Sequence, residues 1–256
     1  MLKTKALQAS HLSKTFLMPR GESFEALKDI NLTIAQGEFV SLLGTSGCGK
    51  TTLLKLLAGL IEPTEGQVTA SMESGHGKGL VFQQYNLFPW LNVRKNVAFG
   101  LSIGAVERPD IDNAVLHCLQ AVGLERFQLH YPHELSGGMQ QRVALARTLA
   151  TDPSILFMDE PFSALDMQTK RSMQDLLLKL IRDKQRTVVF VTHDVEEAVL
   201  LSDTIYIMGA HPGTIIEKVP VTLHHPRSLD MEFSEAFIDI KKRVQRAITS
   251  LRTDDS

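Results

Sequence analysis

One tryptophan, three tyrosines and two cysteines are all that 256 residues hold of these types. Two cysteines, Cys48 and Cys118, are too few for a disulfide scaffold and fit a reducing compartment. Long apolar runs are missing as well: none approaches the roughly 18 residues that a membrane-spanning helix needs. The opening segment MLKTKALQASHLSKTF has no continuous apolar stretch of the secretory type. Neither charge dominates, with 27 Lys and Arg against 29 Asp and Glu, net −2. A general nucleic-acid binder normally carries a basic excess, so no nucleic-acid partner is expected. Together these absences point to a soluble cytosolic protein. What remains is an ordinary globular composition, 43% hydrophobic and 22% charged. It suffices to bury a core as one large domain or as two lobes. Internal repeats and low-complexity linkers are not found.

Leu27, Ile30, Leu32 and Ile34 alternate as a strand would, closed by Gln36-Gly37. FVSLL (Phe39 to Leu43) is a short apolar run suited to a buried strand. Glycines follow it, and then Leu53, Leu56, Leu57 and Leu60 at helical spacing. Two further buried strands are expected at SILFM (Ser154 to Met158) and TVVFVT (Thr187 to Thr192), each running into polar residues at its carboxyl end. That edge is where open α/β sheets bind ligands. Ala164 to Lys184 reads as a helix between them, with Leu176, Leu177, Leu180 and Ile181 on one side. Strands alternating with helices predict an α/β fold with a mainly parallel sheet. From about Asn86 to Ala150 the pattern changes to a loop, LFPWLNV, and helical periodicity around Asp112 to Val122 and Gly138 to Ala150. A helical subdomain inserted between strands is the expectation there. After a polar turn at His224, residues Phe233, Phe237, Ile240, Val244 and Ile248 space out an amphipathic tail.

Between the first buried strand and its helix stands Gly44-Thr45-Ser46-Gly47-Cys48-Gly49-Lys50-Thr51-Thr52. This fits G-x-x-x-x-G-K-[ST], whose glycines turn backbone N–H groups inward around phosphate oxygens while the helix amino terminus adds positive potential. Lys50 would reach the β- and γ-phosphates, the Thr51 hydroxyl a magnesium ion, and Thr52 the α-phosphate. Cys48 sits where a helix terminus lowers a thiol pKa, although a small filler is the simpler role. Asp159 follows an apolar strand, as an acid holding magnesium through water does in P-loop enzymes, and Glu160 beside it can activate the attacking water. An acid pair starting a helix at Pro161 is the alternative for these two. A second glycine motif, LSGGMQQR (Leu135 to Arg142), precedes the helical run VALARTLA. Ser136 has the character of an N-cap, and Gly137 and Gly138 leave first-turn N–H groups open, so this is either a second anion-binding helix start or a capped surface helix.

LSGGMQQR resembles the signature of ATP-binding-cassette (ABC) ATPases, and four further motifs of that family stand in order. Gln83 in VFQQ is similar to its Q-loop glutamine, Ser163-Ala-Leu-Asp166 to its D-loop, and His193 in VTHD to its switch histidine; Phe16 in LSKTF sits where the family places an adenine-stacking aromatic. A lone Phe there is also a core candidate, with Phe24 nearby. The resemblance covers about residues 5 to 220. It implies a P-loop NTPase (RecA-like) fold, a mainly parallel sheet core with an antiparallel β portion and an inserted α-helical subdomain. The ATP-binding domain would span 5–230, with the core at 5–85 and 151–230, the helical subdomain at 86–150, and the tail at 231–256. It implies ATP and Mg2+ as ligands, and an ATP-dependent head-to-tail homodimer in which Gly44 to Thr52 of one copy face Ser136 to Gly138 of the other. Glu160 would be the general base, His193 would touch the γ-phosphate and water, and Gln83 would be a magnesium ligand coupled to a membrane partner.

Within the family the chain looks like an importer subunit docking on separate transmembrane permease chains, at the inner face of the cell membrane, with an extracytoplasmic solute-binding protein upstream. QQYNLFPWLNV and GAHPGTIIEKVPV, followed by HHPRS, are similar to ATPases of nitrate, sulfonate and taurine importers. Trp90 would then help line a groove for a permease helix; packing the helical subdomain is its other role. SMESGHGKG (Ser71 to Gly79) departs from that group's spacer. A soluble ABC ATPase in a non-transport assembly is the alternative. A small-molecule kinase is a third reading, which the LSGGMQQR helix and His193 oppose.

Overall fold

The computed structural model describes residues 4–19, 21–71, 77–103, 111–182 and 186–253. Residues 72–76 of the Ser71 to Gly79 spacer and the last three residues of the tail lie outside them. In chain order the elements are β1 (Lys5–Leu17), β2 (Ser23–Ala35), β3 (Phe39–Gly44), α1 (Lys50–Ala58), β4 (Glu65–Ala70) and β5 (Lys78–Val81). They continue with α2 (Val93–Ile103), α3 (Ile111–Ala121), α4 (Gly137–Ala150), β6 (Ile155–Asp159), α5 (Met167–Arg182) and β7 (Thr187–Thr192). The chain closes with α6 (Val195–Leu201), β8 (Thr204–Gly209), β9 (Thr214–Pro220) and α7 (Glu235–Thr253). The described residues form two compact units, 4–71 with 186–253 and 77–182.

In the first unit β1 pairs antiparallel with both β2 and β4. β3 lies between β7 and β8, parallel to both, and β9 closes antiparallel on β8. β3, β7 and β8 are buried at every residue. Continuous rather than alternating apolar runs are what a parallel strand covered on both faces requires. The sheet is therefore mixed, with a parallel centre and an antiparallel portion. α1 packs Leu53, Leu54, Leu56 and Leu57 inward. It ends at Gly59 in the left-handed region (φ 76°), whose N–H donates to Leu56 O while Leu60 N–H donates to Lys55 O. Leu60, read by spacing as part of that helix, falls past this cap and is 54% exposed. α7 buries Phe237 and Val244, whereas Phe233, expected in the same stripe, lies in a 3-10 turn before the helix and is 76% exposed.

In the second unit β5 and β6 pair in parallel. Its core joins Val93, Val97 and Leu101 of α2, Val115 and Leu119 of α3, and Val143, Ala146 and Ala150 of α4, with Leu176 and Leu180 of α5 packed against it. α4 is buried around most of its circumference, which explains its weak amphipathic pattern. α5 begins at Met167 rather than Ala164, because Asp166 caps it: Asp166 Oδ1 accepts from the N–H groups of Gln168 and Thr169, both at 3.1 Å. The segment LFPWLNV, expected to be a loop, runs straight into α2 at Val93, a helix not among those expected from the sequence.

Candidate nucleotide site

Gly44 closes β3, and the chain turns through Thr45 to Gly49 into α1. Gly47 (φ 84°) and Gly49 (φ 92°) occupy the left-handed region, and Gly49 is the N-cap position of α1. A β-carbon at Gly44 would come within 2.7 Å of Cys48 Sγ and of Met208 O; one at Gly49 would come within 2.7 Å of Leu27 Cδ2. The loop is thus a tight cradle of main chain. Cys48 is buried beneath it and forms no disulfide. Lys50 is only 5% exposed, its ammonium donating to the carbonyls of Gly44 and Thr45, both at 2.9 Å. A buried ammonium needs such acceptors, and here they hold it across the mouth of the loop. Thr45, Ser46, Gly47 and Thr51 face solvent, and Thr52 is half-buried.

His193 leaves β7 one residue after Thr192, which pairs with Leu43 of β3. The histidine and the phosphate loop therefore leave the same carboxyl edge of two adjacent parallel strands, the edge that binds ligands in such sheets. His193 is exposed, and its backbone is fixed by its neighbours. Thr192 Oγ1 donates to Glu197 Oε2 at 2.5 Å and accepts from Asp194 N–H at 3.0 Å, while the Asp194 carboxylate caps α6. Phe16 lies on β1 directly opposite Phe24 of β2; both rings are exposed, and Lys14 Nζ stands 5.1 Å from the Phe16 centroid. Phe16 is therefore not a core residue.

Gln83, Asp159, Glu160 and the signature residues belong to the second unit. Asp159 ends β6 with its side chain buried, and Glu160 follows at φ 42°, an uncommon conformation for a residue with a β-carbon. Gln83 Nε2 donates to Ser163 Oγ at 3.2 Å, and that hydroxyl donates to Glu160 O at 3.0 Å. Gln83 and the main chain of Glu160 thus meet through Ser163 of the expected D-loop. Ser136 caps α4 by accepting from Met139 N–H at 3.3 Å, and Gly137 and Gly138 form its first turn.

Three contacts at these motifs carry no sequence signal. A β-carbon at Gly138 would fall 2.3 Å from Thr169 Cγ2, and one at Gly137 would fall 2.9 Å from Tyr85 Oη. Gly213, part of GAHPG, approaches the phosphate loop so closely that a β-carbon there would lie 2.4 Å from Cys48 O. Spacing cannot reveal which distant group a glycine must admit.

The residues fit a nucleotide triphosphate: a main-chain cradle that side chains would fill, a buried lysine at its mouth, and hydroxyls at the start of a helix. Among the described residues no three His, Cys, Asp or Glu side chains gather into a metal cage. The oxygen donors present suit an ion that arrives with phosphates.

A family model described as ABC transporter matches residues 27–163, a span holding the phosphate loop, Gln83, Ser136 to Gly138, Asp159 and Glu160. A taurine import ATP-binding protein of Roseobacter denitrificans is 47% identical over 213 residues, covering 82% of this chain and 80% of the relative. A nitrate import ATP-binding protein of Synechocystis is 45% identical over 221 residues, covering 85% and 83%. A solved ATP-binding cassette, a dimer in a post-hydrolysis state bound to ADP and phosphate, matches with a TM-score of 0.74 and 36% identity over 85% of this chain and 100% of that one. The chain belongs to the ABC transporter family. It is an ATPase of that family with the P-loop fold of its cassettes, similar to the nitrate and taurine group.

Proposed function

We propose that this protein is the nucleotide-binding subunit of an ABC importer for nitrate, a sulfonate such as taurine, or a related small solute. Two copies close head to tail on ATP and move separate permease chains fed by an extracytoplasmic solute-binding protein. The observation that carries the reading is Trp90, 71% exposed yet part of a fixed segment. Asn96 Oδ1 accepts from Phe88 N–H at 2.9 Å and its amide donates to Leu91 O at 2.8 Å, so the indole is held toward solvent by a buried anchor. A large apolar ring on a fixed frame is what a docking surface offers. No helix among the described residues is long and apolar enough to cross a membrane, so placement at the inner membrane face comes through the permease. The functional division is an ATP-binding domain over 5–230, with its helical subdomain at 86–150 and a separate tail at 231–256.

Phe16 would stack on adenine, the Gly44 to Thr52 loop with Lys50 would bind the phosphates, and Thr51, Gln83 and Asp159 are the residues that would hold Mg2+. Mg2+ bound there with ATP would supply charge neutralisation for the transferred phosphoryl group. Glu160 accepts the proton of the attacking water, and His193 orients that water against the γ-phosphate. Ser136 to Gly138 of the second copy present first-turn N–H groups to the same phosphate. Contacts made only in the closed dimer favour closure, and hydrolysis removes them.

Glu160→Gln is expected to leave ATP binding intact, trap a dimer visible by analytical ultracentrifugation, and slow hydrolysis about 10²-fold or more. An unchanged rate would remove Glu160 from the base role. Expressed with permeases encoded beside it, the wild-type protein is expected in the membrane fraction and the Trp90→Ala variant mostly outside it. Failure of the wild type to enter the membrane fraction would count against the importer reading while leaving the ATPase assignment standing.

A further inference from the structure

The stretch between Gln83 and Trp90 is bound to α4 at two places. Arg147, in the last turn of that helix, donates from one guanidinium nitrogen to Asn86 O at 2.7 Å and from the other to Tyr85 O at 3.2 Å. Its guanidinium also stands 5.7 Å from the Phe88 ring centroid, and Phe88 in turn lies 5.6 Å from Trp90 and 4.2 Å from Phe99. Burial pulls the Arg147 pKa below its usual value, the mark of a cation placed where solvent does little and protein acceptors do the rest. At the other end the Tyr85 hydroxyl lies against Gly137, in the first turn of α4. Residues 137 and 147 are about 15 Å apart along a helix, and side chains on a helix lean toward its amino terminus. The Arg147 arm and the Tyr85 ring, end to end, cover that length.

We propose that Tyr85 and Arg147 are positioning residues that make the segment after Gln83 a strut along α4, linking the aromatic segment Phe88 to Trp90 mechanically to the Ser136 to Gly138 turn. A loop held at one end would absorb displacement locally. One held at both ends of a buried helix passes it on, because packed cores shift between discrete arrangements rather than deforming smoothly. Coupling of this kind is reciprocal, so engagement of the signature turn must also be felt at Trp90. The inference rests on the reading that this turn completes the nucleotide site of a second copy.

Trp90 is the only tryptophan of the chain, so its fluorescence reports on the aromatic segment alone. The full chain carrying Glu160→Gln is titrated with ATP while dimerisation is followed by ultracentrifugation and Trp90 emission by fluorimetry. The parent protein is expected to change its emission in step with dimer formation. Tyr85→Phe, which deletes only the oxygen beside Gly137, and Arg147→Lys, which keeps the charge but loses the fork, are added separately. At protein concentrations where each is fully dimeric, both are expected to retain less than about a third of the emission change. Their ADP affinity, a property of the phosphate loop, is expected within about twofold of the parent, and melting by circular dichroism checks that they are folded. A parent dimer without an emission change, or variants that keep the whole change, overturns the strut while leaving the divided site intact. Absence of any ATP-driven dimer overturns the divided site and the strut with it.

Discussion

At Gly138 one missing carbon decides how the signature turn packs. The Thr169 methyl occupies the place of a side chain, 2.3 Å from where the β-carbon would sit, and neither a helix backbone nor a β-branched residue yields easily. Gly138→Ala is expected to destabilise the protein by about 1–3 kcal/mol in urea unfolding, the range for overpacking a close contact. Adding Thr169→Ser deletes that methyl while retaining the hydroxyl, and is expected to return most of the loss. If it returns none, the glycine is there for another reason. Gly49 is constrained twice over, by its φ of 92° and by Leu27 against it, so the phosphate loop has no room for a side chain at this position.

Among the elements, α5 depends on a single carboxylate. Asp166 lies below the usual carboxyl pKa because the Thr169 hydroxyl bonds to it first of all, with backbone N–H groups of the first helical turn adding to the effect. A folded-state pKa below the unfolded one means that the contribution to stability is present above the unfolded pKa of about 3.9 and is lost as pH falls through the folded value. The difference in melting temperature between wild type and Asp166→Ala is therefore expected to be constant from neutral pH down to about pH 5, and to shrink below about pH 4. A gap that widens in acid would refute the cap. At the start of α2 the cap is Asn92, whose Oδ1 accepts from Lys95 N–H at 2.9 Å, while Asn96 in the first turn anchors the loop before it. Asn96 is fully buried, and its amide donates to Phe88, Leu91 and Asn92 carbonyls while its oxygen takes the Phe88 N–H, which gives an irregular aromatic loop a fixed shape.

For the molecule as a whole, nucleotide binding and stability are linked, since a ligand that binds only the folded chain stabilises it by mass action. ATP at 100 times its dissociation constant is expected to add about 2.7 kcal/mol and raise the melting temperature accordingly. Lys50→Ala is expected to abolish that rise. A rise of wild-type size in the variant would exclude Lys50 from phosphate binding.

The short contiguous motifs were legible because their chemistry is local. Gly44 to Thr52 is a strand, a turn and a helix start within nine residues, and Ser136 caps the helix that its own sequence begins. The buried strands β3, β6 and β7 announced themselves as unbroken apolar runs. β1 did not. Its pairing with β2 shifts register repeatedly, and His11 (φ 49°) and Asp29 (φ 46°) sit at positive φ, so bulges interrupt the alternation that marks a strand. α2 was hidden behind Pro89 and Trp90, although Val93, Val97 and Leu101 keep helical spacing.

Residue types and their local spacing thus determined the phosphate-loop motif, the parallel strands and the Ser136 cap, because backbone preference and hydrogen bonding within a few residues leave little choice. Only the tertiary structure decided that His193 leaves the sheet beside the phosphate loop, that Gly213 backs Cys48, that Thr169 fills the space of Gly138, and that Arg147 and Tyr85 span α4. Each of these depends on which remote segment closes on which, and that is set by the packing of the whole core rather than by any stretch read alone.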